Sequence, residues 1–271
     1  MDKTMATIGL VGGGQMGEAL VRGMLKAGLV DSSALTVAEP DAERRRYLET
    51  TYGITVTDEP AKLCGISAVV ILAVKPQVMG PVMAEYGRYL GSEHLVISIV
   101  AGVTLERLEA GLGSELRIIR VMPNTPALVL AGMSALSGNG RVDRKSMDTA
   151  LEIFSAVGRC VEVPESQLDA VTGLSGSGPG YVFAFIEALV DGGVLAGLPR
   201  PVAEELVLQT VYGSARLALE TGEPAASLRG RVTSPGGTTI TGLQVLEEAG
   251  LRGTVMRAVQ AATDRSRDLG R

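Results

Sequence analysis

Two stretches of this chain carry residue types suited to chemistry. The first is Gly12-Gly13-Gly14-Gln15-Met16-Gly17, a G-x-G-x-x-G spacing that follows an apolar run and opens a helical pattern. There Gly12 permits a tight turn, Gly14 lets a pyrophosphate approach the backbone, and Gly17 allows close helix–strand packing. The free N–H groups opening the helix then face the phosphates. The second is Ser234-Pro235-Gly236-Gly237-Thr238-Thr239. Ser234 suits a helix cap and Pro235 a first helical position, while Gly236 and Gly237 expose N–H groups without side-chain obstruction. A small carboxylate can dock at such a helix start, aided by the dipole. An ordinary capped helix is the bland alternative. The Thr238 and Thr239 hydroxyls could bond the carboxylate or a ring nitrogen. A nicotinamide loop and an anion site in one chain suggest a reductase.

Further candidates lie at the ends of apolar runs. Glu39 closes the second strand pattern, where an acidic side chain accepts hydrogen bonds from both adenosine ribose hydroxyls and repels a 2′-phosphate. It favours NADH. Arg44, Arg45 and Arg46, about a turn further on, read as a solvated face and leave NADPH open. Ala73-Val74-Lys75-Pro76 follows the most β-branched run, and the carboxyl ends of parallel strands line the ligand crevice. Lys75 either reaches cofactor phosphate or ribose or is an ordinary surface lysine. Ala101-Gly102 and Met122-Pro123-Asn124-Thr125-Pro126 occupy the equivalent edge. Asn124 contacts nicotinamide or substrate, or else caps its turn. Gly176-Ser177-Gly178-Pro179 opens an apolar helix, where Ser177 would add a pocket wall if the glycines are not there for helix packing alone.

Strands and helices must position these groups. Of 271 residues, 46% are hydrophobic and 20% charged, the balance of a globular chain of about two domains. The first part alternates strand and helix. Strands are expected at Thr7–Val11, Leu35–Ala38, Ala68–Val74, Leu95–Val100 and Arg117–Val121, and more weakly at Met133–Leu136 and Val161–Val163. Helices are expected at Gln15–Ala27, Asp41–Tyr52, Pro81–Leu90, Leu105–Leu112 and Arg144–Val157. This alternation predicts a parallel sheet covered by helices on both faces. After Pro164 only helices follow: Tyr181–Leu195, Val202–Leu219, Gly237–Ala249 and Leu251–Leu269. Tyr181–Leu195 is apolar nearly all round, and so small a domain does not readily enclose it, so a second subunit is expected to cover it.

Composition excludes several classes. The net charge of -5 argues against a nucleic-acid partner. The N-terminal apolar run is too short for a signal peptide or a membrane span. Cys64 and Cys160 have no metal-ligand spacing and read as inert thiols of a reducing cytoplasm. The lone histidine, His94, makes a His-based zinc site or a Ser-His-Asp triad improbable and reads as a loop residue; no metal site is expected.

Taken together, the glycine loop, Ala73-Val74-Lys75-Pro76, Met122-Pro123-Asn124-Thr125-Pro126, Gly173-Leu174-Ser175-Gly176-Ser177-Gly178-Pro179, Leu198-Pro199-Arg200 and, most specifically, Ser234-Pro235-Gly236-Gly237-Thr238-Thr239 make the chain resemble the pyrroline-5-carboxylate reductases, essentially end to end. The resemblance implies an α/β fold, an N-terminal Rossmann-type parallel sheet domain (1–165) followed by an all-helical dimerisation and substrate domain (166–271). It implies NADPH- or NADH-dependent reduction of 1-pyrroline-5-carboxylate to L-proline, and a homodimer assembling into a higher-order ring. The candidate cofactor residues are Gly12, Gly13, Gly14, Gln15, Met16, Gly17, Glu39, Ala73, Val74, Lys75, Pro76, Ala101, Gly102, Asn124 and Arg231. The candidate substrate residues are Ser177, Ser234, Gly236, Gly237, Thr238 and Thr239, with Thr239, or water it orients, the simplest catalytic proton donor unless the substrate binds already as an iminium. The chain departs from the family at Glu39, where many members carry a small polar residue, and at Pro60, where some carry an asparagine near the adenine. Both departures bear on coenzyme choice. A β-hydroxyacid dehydrogenase would share the two-domain layout, and Gly173, Gly176 and Gly178 fit its glycine stretch, but Val182 stands where its catalytic lysine belongs. A non-catalytic nucleotide sensor, working through its oligomerising helices, is the alternative outside enzymes.

Overall fold

The apolar run after Thr7 forms β1 (Ile8–Val11), buried at every residue, as a central parallel strand must be. The structure, a computed structural model, describes residues 6–270. Strand and helix then alternate: α1 (Gln15–Lys26), β2 (Leu35–Ala38), α2 (Ala42–Tyr52), β3 (Thr55–Thr57), α3 (Pro60–Ile66), β4 (Val69–Leu72), α4 (Met79–Tyr86), β5 (Leu95–Ser98), α5 (Leu105–Leu112), β6 (Arg117–Met122), β7 (Gly132–Gly138), α6 (Arg144–Ser155) and β8 (Gly158–Glu162). The strands form one sheet of order β3-β2-β1-β4-β5-β6-β7-β8. Successive residues on one strand feed opposite faces. Thus Val69 and Ile71 pack with α1 and α6, while Val70 and Leu72 pack with α3, α4 and α5.

The sheet is parallel, as expected, except at one junction. β7 pairs antiparallel with β6, with Val121 opposite Leu136, and β8 then runs parallel to β7. The connection from Met122 to Gly132 holds only the short 3-10 turn Thr125–Val129. A parallel return needs a crossover of a dozen or more residues, usually with a helix, so this short link reverses the chain. β3 and α3 escape the sequence pattern for a different reason. β3 is a three-residue Thr-Val-Thr edge with mixed burial, and α3 has only seven residues, too short for a clear period.

His94 sits in a loop, as expected, but it is buried. Its Nε2–H donates to the Cys64 carbonyl at 3.1 Å, and Nδ1 accepts the Gly91 N–H at 2.9 Å. It therefore fastens the turn before β5 to the end of α3. Burial pushes the Cys64 thiol up to about 11, which leaves it protonated and unreactive at neutral pH. Burial also raises Cys160, although the Ser155 hydroxyl pulls the other way.

Beyond β8 the chain is helical: α7 (Leu168–Val171), a π-helical turn at Thr172–Gly176, α8 (Gly178–Leu195), α9 (Arg200–Thr221), α10 (Ala225–Arg231), α11 (Thr238–Glu248) and α12 (Leu251–Leu269). The structure divides into two compact units, one running to Gly176 and including the stretch from Ala262, the other Ser177–Ala261. In the first, Ser266 of α12 donates to Asp169, and Leu269 packs against Gly102. The second has almost no core of its own. Among its residues only Val190 and Ala203 are buried hydrophobics, while Phe183 is 63% exposed and Phe185 43%. So large an apolar surface on one small unit marks an interaction face. The helical run Glu165–Leu195 is also long and apolar enough to cross a membrane by length and composition alone.

Candidate active site

The glycine loop is built by steric exclusion. Gly12 holds φ +103°, and its N–H donates to the Ala38 carbonyl at 2.8 Å. A Cβ there would sit 2.7 Å from the Ala73 carbonyl oxygen, and one on Gly17 only 2.3 Å from that of Gly12. Only glycine lets β1, β4 and α1 meet this closely. Gly14, by contrast, caps α1 and faces open space. A pyrophosphate can approach it and the free N–H groups of the first turn. The residues present fit a dinucleotide.

Glu39 is committed to this loop. Its Oε2 accepts the Gly13 N–H at 2.8 Å and its Oε1 the Asp41 N–H at 3.1 Å. Arg44 donates through Nε to the Gly13 carbonyl at 2.6 Å, pairs with Glu18 and lies 4.9 Å from the Tyr47 ring centre. Arg45 donates to the Glu39 and Pro40 carbonyls and pairs with Asp58 at 3.1 Å. Arg44 and Arg45 are therefore not the solvated face expected of them. Arg44 clamps the loop and Arg45 fastens the end of β2 to Asp58, because the N-terminus of α2 abuts groups that helical spacing cannot reveal. Partial burial raises the Glu18 carboxyl, but bonds from Tyr52, Arg44 and Tyr47 outweigh it and hold the group below its usual range. A depressed carboxyl stabilises the fold at neutral pH, and that contribution is lost as pH falls through its folded-state value.

The loop opens on a cleft of about 430 Å³. Gly12, Gly14, Glu39, Ala73, Val74 and Lys75 line it, together with Asp58, Pro60, Val78 and, on α4, Val82, Glu85 and Tyr86. Lys75 is exposed at its margin, just before Pro76 opens a short 3-10 turn. Tyr86 was not singled out in the sequence. Its spacing from Val78 and Val82, four residues each, was the available signal. Ala101 and Gly102 follow β5 but do not line the cleft, and Gly102 packs instead against Leu269. The Asn124 amide is engaged at both ends: Nδ2 donates to the Ser175 carbonyl at 3.0 Å, and Oδ1 accepts the Met133 N–H at 2.8 Å. It ties the end of β6 to β7 and to the π-helical turn.

In the second unit, Ser234 to Gly237 forms a turn rather than a helix start. The Gly237 N–H donates to the Ser234 carbonyl at 3.1 Å, Pro235 occupies the second position, and Gly236 takes φ +65°. A proline followed by a left-handed glycine is the signature of a type II turn. This corrects the expected placement of Ser234 as cap and Pro235 as first helical residue. Gly237 is the N-cap of α11, and Thr238 and Thr239 open the helix. The anion-ready N–H groups are thus those of the first turn from Thr238 onward. Thr238 is exposed and Thr239 half-buried, and neither hydroxyl has a partner among the described residues. Ser177 precedes α8 without using its side chain as a cap. Arg231, ending α10, is paired with Glu223 at 2.6 Å.

Comparison with known proteins decides the family. Residues 165–269 match the family described as pyrroline-5-carboxylate reductase dimerisation, and residues 7–102 that described as NADP oxidoreductase coenzyme F420-dependent. The pyrroline-5-carboxylate reductase of Synechocystis sp. is 49% identical over 97% of this chain and 98% of its own length. That of Escherichia coli is 40% identical with the same coverage. The chain belongs to the pyrroline-5-carboxylate reductase family. A solved pyrroline-5-carboxylate reductase from Coxiella burnetii superposes with a TM-score of 0.94 at 38% identity, covering 98% of this chain and 99% of that one. The Plasmodium falciparum pyrroline carboxylate reductase with NADP bound gives 0.87 at 35% identity, with 98% of each chain covered. Family membership bears on the long apolar run through α8. It lies within the region matched to a dimerisation domain.

Proposed function

We propose that this chain reduces 1-pyrroline-5-carboxylate to L-proline with NADH or NADPH, the last step of proline biosynthesis. The observation that carries this reading is full-length membership in the family with both chemical stretches intact, the glycine loop and the Ser234–Thr239 turn. A bound reduced nicotinamide supplies the hydride taken up by the imine carbon. The chain's own residues do the rest. Backbone N–H groups opening α11 and the Thr238 hydroxyl hold the carboxylate. The Thr239 hydroxyl, or water it orients, gives the ring nitrogen its proton, unless the substrate arrives as the iminium. A neutral threonine is a weak acid, so most of the acceleration comes from positioning. The working form is a homodimer joined through the helical residues 166–271, assembled into a ring in the cytoplasm.

Oxidation of NADH by the purified protein with racemic pyrroline-5-carboxylate, yielding L-proline, tests the reading. Tight nucleotide binding with no turnover would favour the sensor alternative instead.

Glu39 sets the coenzyme in this account. Its carboxylate, beside the Gly13 peptide, accepts the ribose hydroxyls of NADH and repels a 2′-phosphate. Wild type should show a higher kcat/KM with NADH than with NADPH. Glu39→Ser should move the ratio toward NADPH by roughly 10- to 100-fold, as expected from removing one close charge. Because the same carboxylate anchors Gly13, KM for NADH should rise as well. Steady-state kinetics with both coenzymes check this, and a wild type that strongly prefers NADPH would exclude it.

A further inference from the structure

We propose that the Tyr86 hydroxyl hydrogen-bonds the purine base in the nucleotide cleft. The inference rests on the dinucleotide reading of that cleft. Away from the glycine loop, the wall around α3 and α4 presents the Glu85 carboxylate and the apolar Pro60, Val78 and Val82. A flat heteroaromatic ring can lie against the apolar side chains, but they cannot distinguish one base from another. Tyr86 follows Glu85 on α4 and lines the same cleft.

Its surroundings make the ring rigid and leave the oxygen free. The residue is 6% exposed and packs in the cluster that includes Leu63, Cys64, Met79 and Met83. No group among the described residues hydrogen-bonds the phenol. The sealed side-chain polar atom without a partner among those residues is the Ser67 hydroxyl. The Tyr86 oxygen, equally partnerless, is therefore not sealed in the core but opens on the cleft. Buried tyrosines normally satisfy their hydroxyl, and an unsatisfied one at a cavity wall calls for a ligand atom. Burial raises this phenol far above its usual range, so it stays neutral and can both donate and accept. That dual capacity suits the edge of adenine, which presents an amino donor beside ring-nitrogen acceptors.

The test is equilibrium binding followed by intrinsic or nucleotide fluorescence, without turnover. Tyr86→Phe keeps the packed ring and removes only the oxygen. Affinity for NADH and for AMP should each fall by about 3- to 10-fold, the effect of one hydrogen bond. Affinity for reduced nicotinamide mononucleotide, which lacks the adenosine, should stay within experimental error. Unchanged NADH and AMP affinity in the variant would overturn the assignment, as would an equal loss for the mononucleotide. Failure of the wild type itself to bind any of these nucleotides would instead overturn the reading of the cleft.

Discussion

Thr239→Ala should lower kcat by roughly 10- to 1000-fold, the range for removing one preorganised hydrogen bond from a transition state. The hydroxyl sits at the second residue of α11, half-buried and without a partner among the described residues. It therefore costs the fold little to remove and is available to a substrate. KM for NADH should change little, because the glycine loop and Glu39 belong to a different unit of the chain. Thr239→Ser, which restores the hydroxyl, should recover most of the rate. Thr238→Ala should mainly raise KM for the pyrroline substrate, as expected of a carboxylate ligand. Full kcat in a folded, oligomeric Thr239→Ala would remove the side chain from the mechanism. Proton supply would then belong to a substrate that binds already protonated.

Phe185→Asp should abolish the dimer. Phe185 lies on α8, in a unit whose apolar side chains are mostly exposed in the single chain. Burial of a phenylalanine contributes about 1.5–3 kcal/mol. An unpaired buried carboxylate costs about 3–5 kcal/mol more, and a two-fold interface counts each change twice. The dimer dissociation constant should therefore rise at least ~1000-fold. Sedimentation should show monomer or aggregate with little activity. Phe185→Leu, which keeps the site apolar, should remain largely dimeric. A wild type that is active and monomeric would contradict the expectation.

Much of the architecture is written in local patterns. Buried runs such as Ile8–Val11, Val69–Leu72 and Leu95–Ser98 are apolar on both faces, and only a covered parallel sheet accommodates that. The glycine loop is legible because two of its positions exclude any side chain, and steric exclusion leaves a mark in residue type. The all-round apolar character of α8 likewise predicts a partner before any coordinate is known. Tertiary structure decided what depends on distant neighbours. The direction of β7 follows from the short link after β6, whereas strand pattern is the same in either direction. Whether Arg44 is solvated or clamps the loop depends on α2 meeting residues 13 and 18, and Arg45 likewise finds Asp58. The start of α11 depends on a left-handed Gly236, which places the turn's last residue, not Ser234, at the cap. A periodic pattern records which side of an element is buried. It does not record which distant atoms face a polar group there, and for Glu39, Asn124 and Tyr86 those atoms define the role.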